Sequence, residues 1–429
     1  MLIMLLALFL VTMFLGTPIA FSMSFASIVT NLTHGASSLM LTAQQCYDST
    51  SNLSLLAVPF FMLAGSIMNM GGISRRLINF CRLFVGRIRG GLAIVAVLAA
   101  MIFAAISGSG PATVAALGVF MIPAMVNDGY DVGFAGALMG SAGGLGIIIP
   151  PSIPMVIYAT LAGCSVGTMF CAGIVPGIIL GLAMMIYAYI IARRNGYKPA
   201  PVDAPTFKDK VKVFADGLPA IAMPVIILGG IYSGIFTPTQ ASGIAVIYGL
   251  ILGVLVYKEI KFKDIVKMFI ESGITAASAL LIAALADGFN WIITTNRVPK
   301  MLSDWFLGIF SSAAGILIAL IILLTIIGCF MSVNAAMIVL TPILVPVMRS
   351  FNVSPITLGI IMIICVSLGM VTPPFGVNLF VAAGIAKVPF DCMTKHAFIL
   401  VGLCLAVLIA MVFIPGIITF LPSLLGMSL

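Results

Sequence analysis

Charge is what this sequence has least of. Only 7% of its 429 residues are Asp, Glu, Lys or Arg, against about 25% in soluble domains, while 62% are hydrophobic and 43 are glycine. A water-soluble globular domain is thereby excluded. Histidine is confined to His34 and His396, both in loops, and none of the eight cysteines falls in a CxxC pair or clusters with them, so metal and redox chemistry have no foothold and the thiols read as small packing residues. No G-x-x-x-x-G-K-[ST] phosphate loop occurs, which argues against an ATP-driven machine in this chain. The opening "MLIMLLALFLVTMFLG" lacks a positive n-region and runs on apolar through Thr30, so it reads as an uncleaved first span. The net charge of +8 sits in short loops between apolar runs, as the positive-inside bias places it; it does not indicate nucleic acid.

What is present is a series of apolar runs, at about 2–30, 53–70, 92–106, 111–126, 132–163, 167–192, 217–236, 239–257, 273–293, 313–331, 334–348, 355–386 and 397–421. Each holds about 15–30 residues, the scale of a bilayer. The expectation is an all-α polytopic membrane protein. A shift of 223 residues superposes Gly65 on Gly288, Ser109 on Ser332, Pro123 on Pro346, Gly146 on Gly369 and Pro150-Pro151 on Pro373-Pro374 without a gap. Two Pro-Pro pairs at one offset mark an internal repeat. The expected division is a first repeat at 1–192, a cytoplasmic linker and connecting span at 193–238, and a second repeat at 239–429.

Two pairs of short runs are separated only by "SGSG" and "SVN", and read as re-entrant hairpins at about 92–126 and 313–348. The runs 132–163 and 355–386 carry Pro-Pro at their centres, and proline removes a backbone donor and clashes with the preceding turn, so each should be a broken helix. If hairpins do not cross, the count from repeat to repeat is five, and the second repeat is inverted. With the N-terminus cytoplasmic and the C-terminus periplasmic, the cytoplasmic loops 71–90, 193–216, 258–272 and 387–396 carry 5, 6, 4 and 2 Lys or Arg, 17 of the chain's 20. Loop 31–52 lies outside and carries none. The run "RRLINFCRLFVGRIR" reads as an arm helix at the cytoplasmic surface.

Irregular backbone at membrane depth survives only where protein buries it or a polar cavity borders it. Paired breaks in inverted halves point to the binding site of a secondary transporter. The breaks offer neutral oxygen: Ser107, Ser109, Thr113, Ser152, Ser332, Asn334, Thr372 and Asn378, with freed carbonyls near Gly146–Ile149 and Gly369–Thr372. No acid or base lies in any tip or break. A proton-coupled core would normally show a titratable group, whereas carbonyl and hydroxyl oxygens suffice for Na⁺. Helix N-termini at the breaks suit a carboxylate. Asp287 is the one carboxylate expected inside an apolar run, with transport or pairing to backbone, Arg297 or Lys300 as its roles. A membrane-embedded enzyme would need paired acids or His clusters, and a channel a continuous polar lining; neither is present.

The segments "PFFMLAGSIMNMGGISRRL", "AAISGSGPATVAALG", "GLGIIIPPSIPMVIYA", "GIFTPTQAS" and "LGMVTPPFGVNLFVAAGIA" in this order resemble the large membrane subunit of tripartite ATP-independent periplasmic (TRAP) transporters. The resemblance implies a sodium-driven elevator in the bacterial inner membrane, a separate small four-span subunit, and a periplasmic binding protein that delivers the solute. It places one Na⁺ site on Ser107, Ser109 and the backbone from Gly146 to Ile149, and a second on Met331 to Asn334 with Gly369, Thr372 and Pro373. The substrate would touch Ser109, Ser152, Ser332, Asn334 and Asn378. Many relatives have an acid where this chain has Ser332. The run "GCFMSVNAA" looks most similar to the sialic acid branch, with C4-dicarboxylates or another carboxylate as the alternative.

Overall fold

The computed structural model describes every residue except 35–37, 86, 87, 89, 198–206, 311 and 374, and nothing of the Leu2 side chain. Pro374 of the second break and Arg87 and Arg89 of the basic run therefore lie outside the described residues. Among those described, all regular structure is helical.

The first apolar run folds differently from expectation. Residues 2–30 are not one span: α1 (Leu2–Phe14) and α2 (Ile19–His34) form an antiparallel pair, with Thr33 Oγ1 3.8 Å from Met4 Sδ. Gly16 supplies the left-handed turn at φ +89°, and Pro18 cannot donate to a continuing helix. The expected outer loop 31–52 is largely helical as well. Helix α3 (Leu39–Thr50) continues through a 3₁₀ turn at Leu53–Leu56 into α4 (Ala57–Met70).

The rest of the first series runs α5 (Ile73–Val85), the hairpin α6 (Gly91–Ser107) and α7 (Gly110–Asn127), the broken pair α8 (Val132–Gly143) and α9 (Ile153–Ala162), and α10 (Val166–Arg194). A second series repeats this order. It comprises α11 (Phe207–Tyr232), α12 (Pro238–Leu250), α13 (Phe262–Thr295), α14 (Val298–Ile309), the hairpin α15 (Ala313–Phe330) and α16 (Val333–Ser350), the broken pair α17 (Pro355–Gly369) and α18 (Val377–Ala386), and α19 (Asp391–Phe413). A terminal α20 (Gly416–Leu424) packs on α10, so the run 397–421 is interrupted at Ile414–Pro415. Both hairpins and both broken helices lie within a few residues of their expected places.

Helix α11, set apart in the sequence as a connecting span, stands in the second series where α1 stands in the first. If each hairpin returns to its own side, each series then holds five passes, and five is still odd. Direct evidence for inversion comes from α13, which runs antiparallel to its counterpart α3–α4. Gly288 faces Thr42, Ser49 Oγ donates to the Ala283 carbonyl at 3.5 Å, and Ser66 and Asn69 line one cavity with Glu271 and Thr275. Ser367 Oγ donates to the Gly144 carbonyl at 2.9 Å. These two residues are separated by 223 positions, the repeat offset, so the two-fold axis passes between them.

The α1–α2 pair also moves the N-terminus. Met4 lies beside Thr33, on the face opposite Gly71 and the basic loops. The expected cytoplasmic N-terminus rested on a single crossing by residues 2–30, and the fold-back between α1 and α2 removes that premise. Expected loop 258–272 is likewise shorter, because α13 begins at Phe262.

Helices α2, α3, α4, α11, α12 and α13 pack on one another as a frame, with α1 laid along α2. The hairpins, broken helices, α10 and α19 pack together as a second group that touches the frame chiefly through α4 with α6 and α13 with α16. The arm helices α5 and α14 join the two. At the start of α5, Arg76 donates to Glu259 at 2.6 Å and to the Gly72 carbonyl at 3.0 Å, and stacks 3.8 Å over Tyr257. That clamp fixes the arm to the end of α12, where the helix widens to a π turn at Ile251–Val256.

Candidate functional site

The first hairpin tip is organised by its own short side chains. Helix α6 ends at Ser107, and Gly108, at φ +59°, turns the chain where a β-carbon would be strained. Ser107 Oγ and Thr113 Oγ1 are 2.7 Å apart, and the Ser109 carbonyl accepts from both, at 3.2 and 2.8 Å. Three oxygens thus converge on a buried point. Gly146, in the 3₁₀ turn that follows α8, closes over it: a β-carbon there would sit 2.6 Å from Thr113 Oγ1 and 2.8 Å from the Ser109 carbonyl. Beyond the break, Ser152 Oγ donates to the Ile147 carbonyl at 2.6 Å and bridges the missing turn.

The second tip is looser. Ser332 caps α16 by accepting from Ala335 N at 3.4 Å, and the Asn334 Oδ1 is buried without a hydrogen-bond partner. Behind it, Gly328 and Gly369 bring α15 and α17 into backbone contact, and Thr372 Oγ1 donates to the Leu368 carbonyl at 2.8 Å. Asn378 reaches into the first half, donating to the Gly140 carbonyl at 3.2 Å, and its Oδ1 is also buried without a partner. An unpaired buried amide oxygen costs about 1–3 kcal/mol, so each is ready for a donor or a cation.

A cavity of about 400 Å³ lies between the tips. Of the expected site residues, Ser107, Ser109, Ser332 and Asn334 line it. Ser152 and Asn378 are fully buried and turned to backbone carbonyls. Gly146, Ile149, Met331, Gly369, Thr372 and Pro373 are not among the residues that line it. Helices α7, α9 and α16 all begin at this cavity, and Ser109 and Ser152 make no side-chain cap, leaving first-turn N–H groups for an anion.

The opposite wall was missed in the sequence. It consists of Met62, Ser66 and Asn69 on α4 and Glu271, Ser272 and Thr275 on α13. The sequence puts Glu271 and Ser272 in the expected loop 258–272, because the charged first turns of α13 precede its apolar run. Asp287 is 16 residues further along α13, about 24 Å along the axis, and faces α3 beside Ser49. It has no part in the cavity lining.

Residues 6–417 match the family model described as the tripartite ATP-independent periplasmic transporter, DctM component. The chain belongs to this family. It is 41% identical, over 96% of its own length, to the isethionate TRAP transporter permease protein DctMQ of Oleidesulfovibrio alaskensis, of which it spans 64%. It is 40% identical to the C4-dicarboxylate large permease DctM of Pseudomonas aeruginosa, with 95% of each chain covered. To the sialic acid large permease SiaM of Vibrio cholerae it is 33% identical, with 96% of each covered. Over the whole chain, the sialic acid relative is therefore less similar than the other two. Among solved structures, the Alcanivorax borkumensis YdaH transporter covers 89% of the chain with a TM-score of 0.66 at 14% identity, a likeness of fold. The chain is thus a multi-pass inner-membrane permease subunit of the TRAP class, not an enzyme.

Proposed function

We propose that the chain carries a small organic anion across the inner membrane, coupled to Na⁺, with the solute held in the cavity between the hairpin tips. The observation that carries this reading is the Ser107–Ser109–Thr113 oxygen cluster under Gly146, which is hard, neutral and buried, and matches what a small hard cation prefers. Asn334 is the corresponding ligand candidate in the second half. A cation at the first tip would attract the solute's acid group, which the N-termini of α7, α9 and α16 would receive. Sialic acid, isethionate and C4-dicarboxylates, each named for a relative, are the substrates to compare.

The hairpin group would move against the frame as an elevator. The cavity is bordered by Asn69, two residues before Gly71, and by Glu271, ten residues after Lys261. Its frame wall therefore lies on the half of the frame nearer the basic face, which positive-inside bias makes cytoplasmic, and in this reading the chain stands in an inward-facing state. Both termini would then be periplasmic, since Met427 and Ser428 lie beside Ser165–Thr168 on the other face. A small four-span membrane subunit and a periplasmic binding protein complete the system in this reading.

The test is uptake by proteoliposomes containing this chain, its small subunit and its binding protein. Uptake of the labelled anion driven by an inward Na⁺ gradient and unaffected by a proton gradient is the expected result. Proton-driven uptake without Na⁺ would overturn the assignment.

A further inference from the structure

The cavity is electrically one-sided. Its tip wall presents helix N-termini and neutral oxygens, while the frame wall presents Glu271, which is the only ionisable side chain among the described residues that line it. Neither lysine nor arginine is present to balance a second anionic group. The nearest cation, Lys267, lies one turn away at 3.8 Å from Glu271, with the two side chains 65% and 56% exposed. A pair so open to water neutralises only part of the carboxylate's field.

We propose that Glu271 sets the charge that the permease accepts at the far end of its substrate: it selects monoanions bearing hydroxyl, amide or amino donors and disfavours dianions. This rests on the reading of the cavity as the substrate site. A solute seated with its acid group at the α7, α9 and α16 N-termini points its other end at α4 and α13. There, Ser66, Asn69, Ser272 and Thr275 offer hydrogen bonds to a polar group, and Glu271 accepts from donors. A second carboxylate at that end would face a like charge at close range, where repulsion between two unit charges amounts to about a tenfold loss of affinity even at a partly exposed site. Glu271 thereby acts as a specificity residue on the frame, not on the hairpins that hold the ion.

The experiment places a cysteine in the cavity, Ser66→Cys, in the purified full chain in liposomes, with modification followed by the mass of the peptide carrying residue 66. A cationic and an anionic methanethiosulfonate reagent of similar size are compared. Glu271→Gln should raise the ratio of anionic to cationic rates about tenfold, and Lys267→Gln should lower it. Protection by succinate, a dianion, should require roughly tenfold higher concentration than protection by sialic acid or isethionate, and Glu271→Gln should narrow that gap. An unchanged rate ratio in Glu271→Gln, or equal protection by dianion and monoanions in the parent, overturns the inference. Absence of any protection by all three solutes would instead overturn the cavity as the substrate site. Because Glu271 is exposed at a helix surface, a folding defect is not expected; Glu271→Asp, which keeps the charge, should retain the parent's ratio and discriminates charge from packing.

Discussion

At the scale of single residues, the first tip separates roles that the sequence joined. Ser107 and Thr113 contribute hydroxyls to the oxygen cluster, whereas Ser109 contributes its carbonyl. Ser107→Ala should therefore raise the Na⁺ concentration needed for half-maximal uptake roughly tenfold, the weight of about one hydrogen-bonding group, while Ser109→Ala should shift it much less. Sodium titrations of uptake check both, with thermal unfolding as the control. The structure also explains why Ser152, expected at the substrate, is poorly placed for it: its hydroxyl is taken by the Ile147 carbonyl across the break. Ser152→Ala should accordingly lower thermal stability, leaving an unsatisfied carbonyl, more than it changes apparent substrate affinity.

At the scale of elements, the arms and breaks set where the tips sit. Cysteines at Lys387 and Arg349 should label from opposite faces of the membrane, and a cysteine at Ser38 should label with Arg349. Same-face labelling of Lys387 and Arg349 would contradict the inverted series. The hairpins and broken helices were legible because proline and glycine interrupt apolar runs at a fixed offset, and backbone chemistry alone dictates the consequence. The fold-back at Leu15–Pro18 was hidden, since a single Gly-Thr-Pro in a long apolar stretch resembles a tolerated kink. The frame wall at Glu271 was hidden for the opposite reason: α13 extends past the apolar window, so charged residues on it looked like a loop. Residues brought together across 200 positions, such as Asn69 and Glu271, leave no local signal.

At the scale of the whole molecule, two packed groups meet along limited seams, which is the arrangement that rigid-body displacement requires. On the face opposite the basic loops a second cavity of about 770 Å³ separates Thr160 and Cys164 of the hairpin group from Thr237–Gln240 of the frame. A cleavable bifunctional thiol reagent joining native Cys164 to a Thr239→Cys substitution should arrest uptake, and cleavage should restore it. Continued uptake in the cross-linked protein would contradict the elevator. The central claim remains that Na⁺ binds where Gly146 closes the oxygen cluster of the first tip. The most direct measurement is the sodium dependence of uptake in Gly146→Ala beside the parent, at equal expression and equal thermal stability. A β-carbon 2.6 Å from Thr113 Oγ1 leaves no room for the ion, so loss of sodium stimulation is the predicted result. An unaltered sodium curve in the folded variant would place the coupling ion elsewhere.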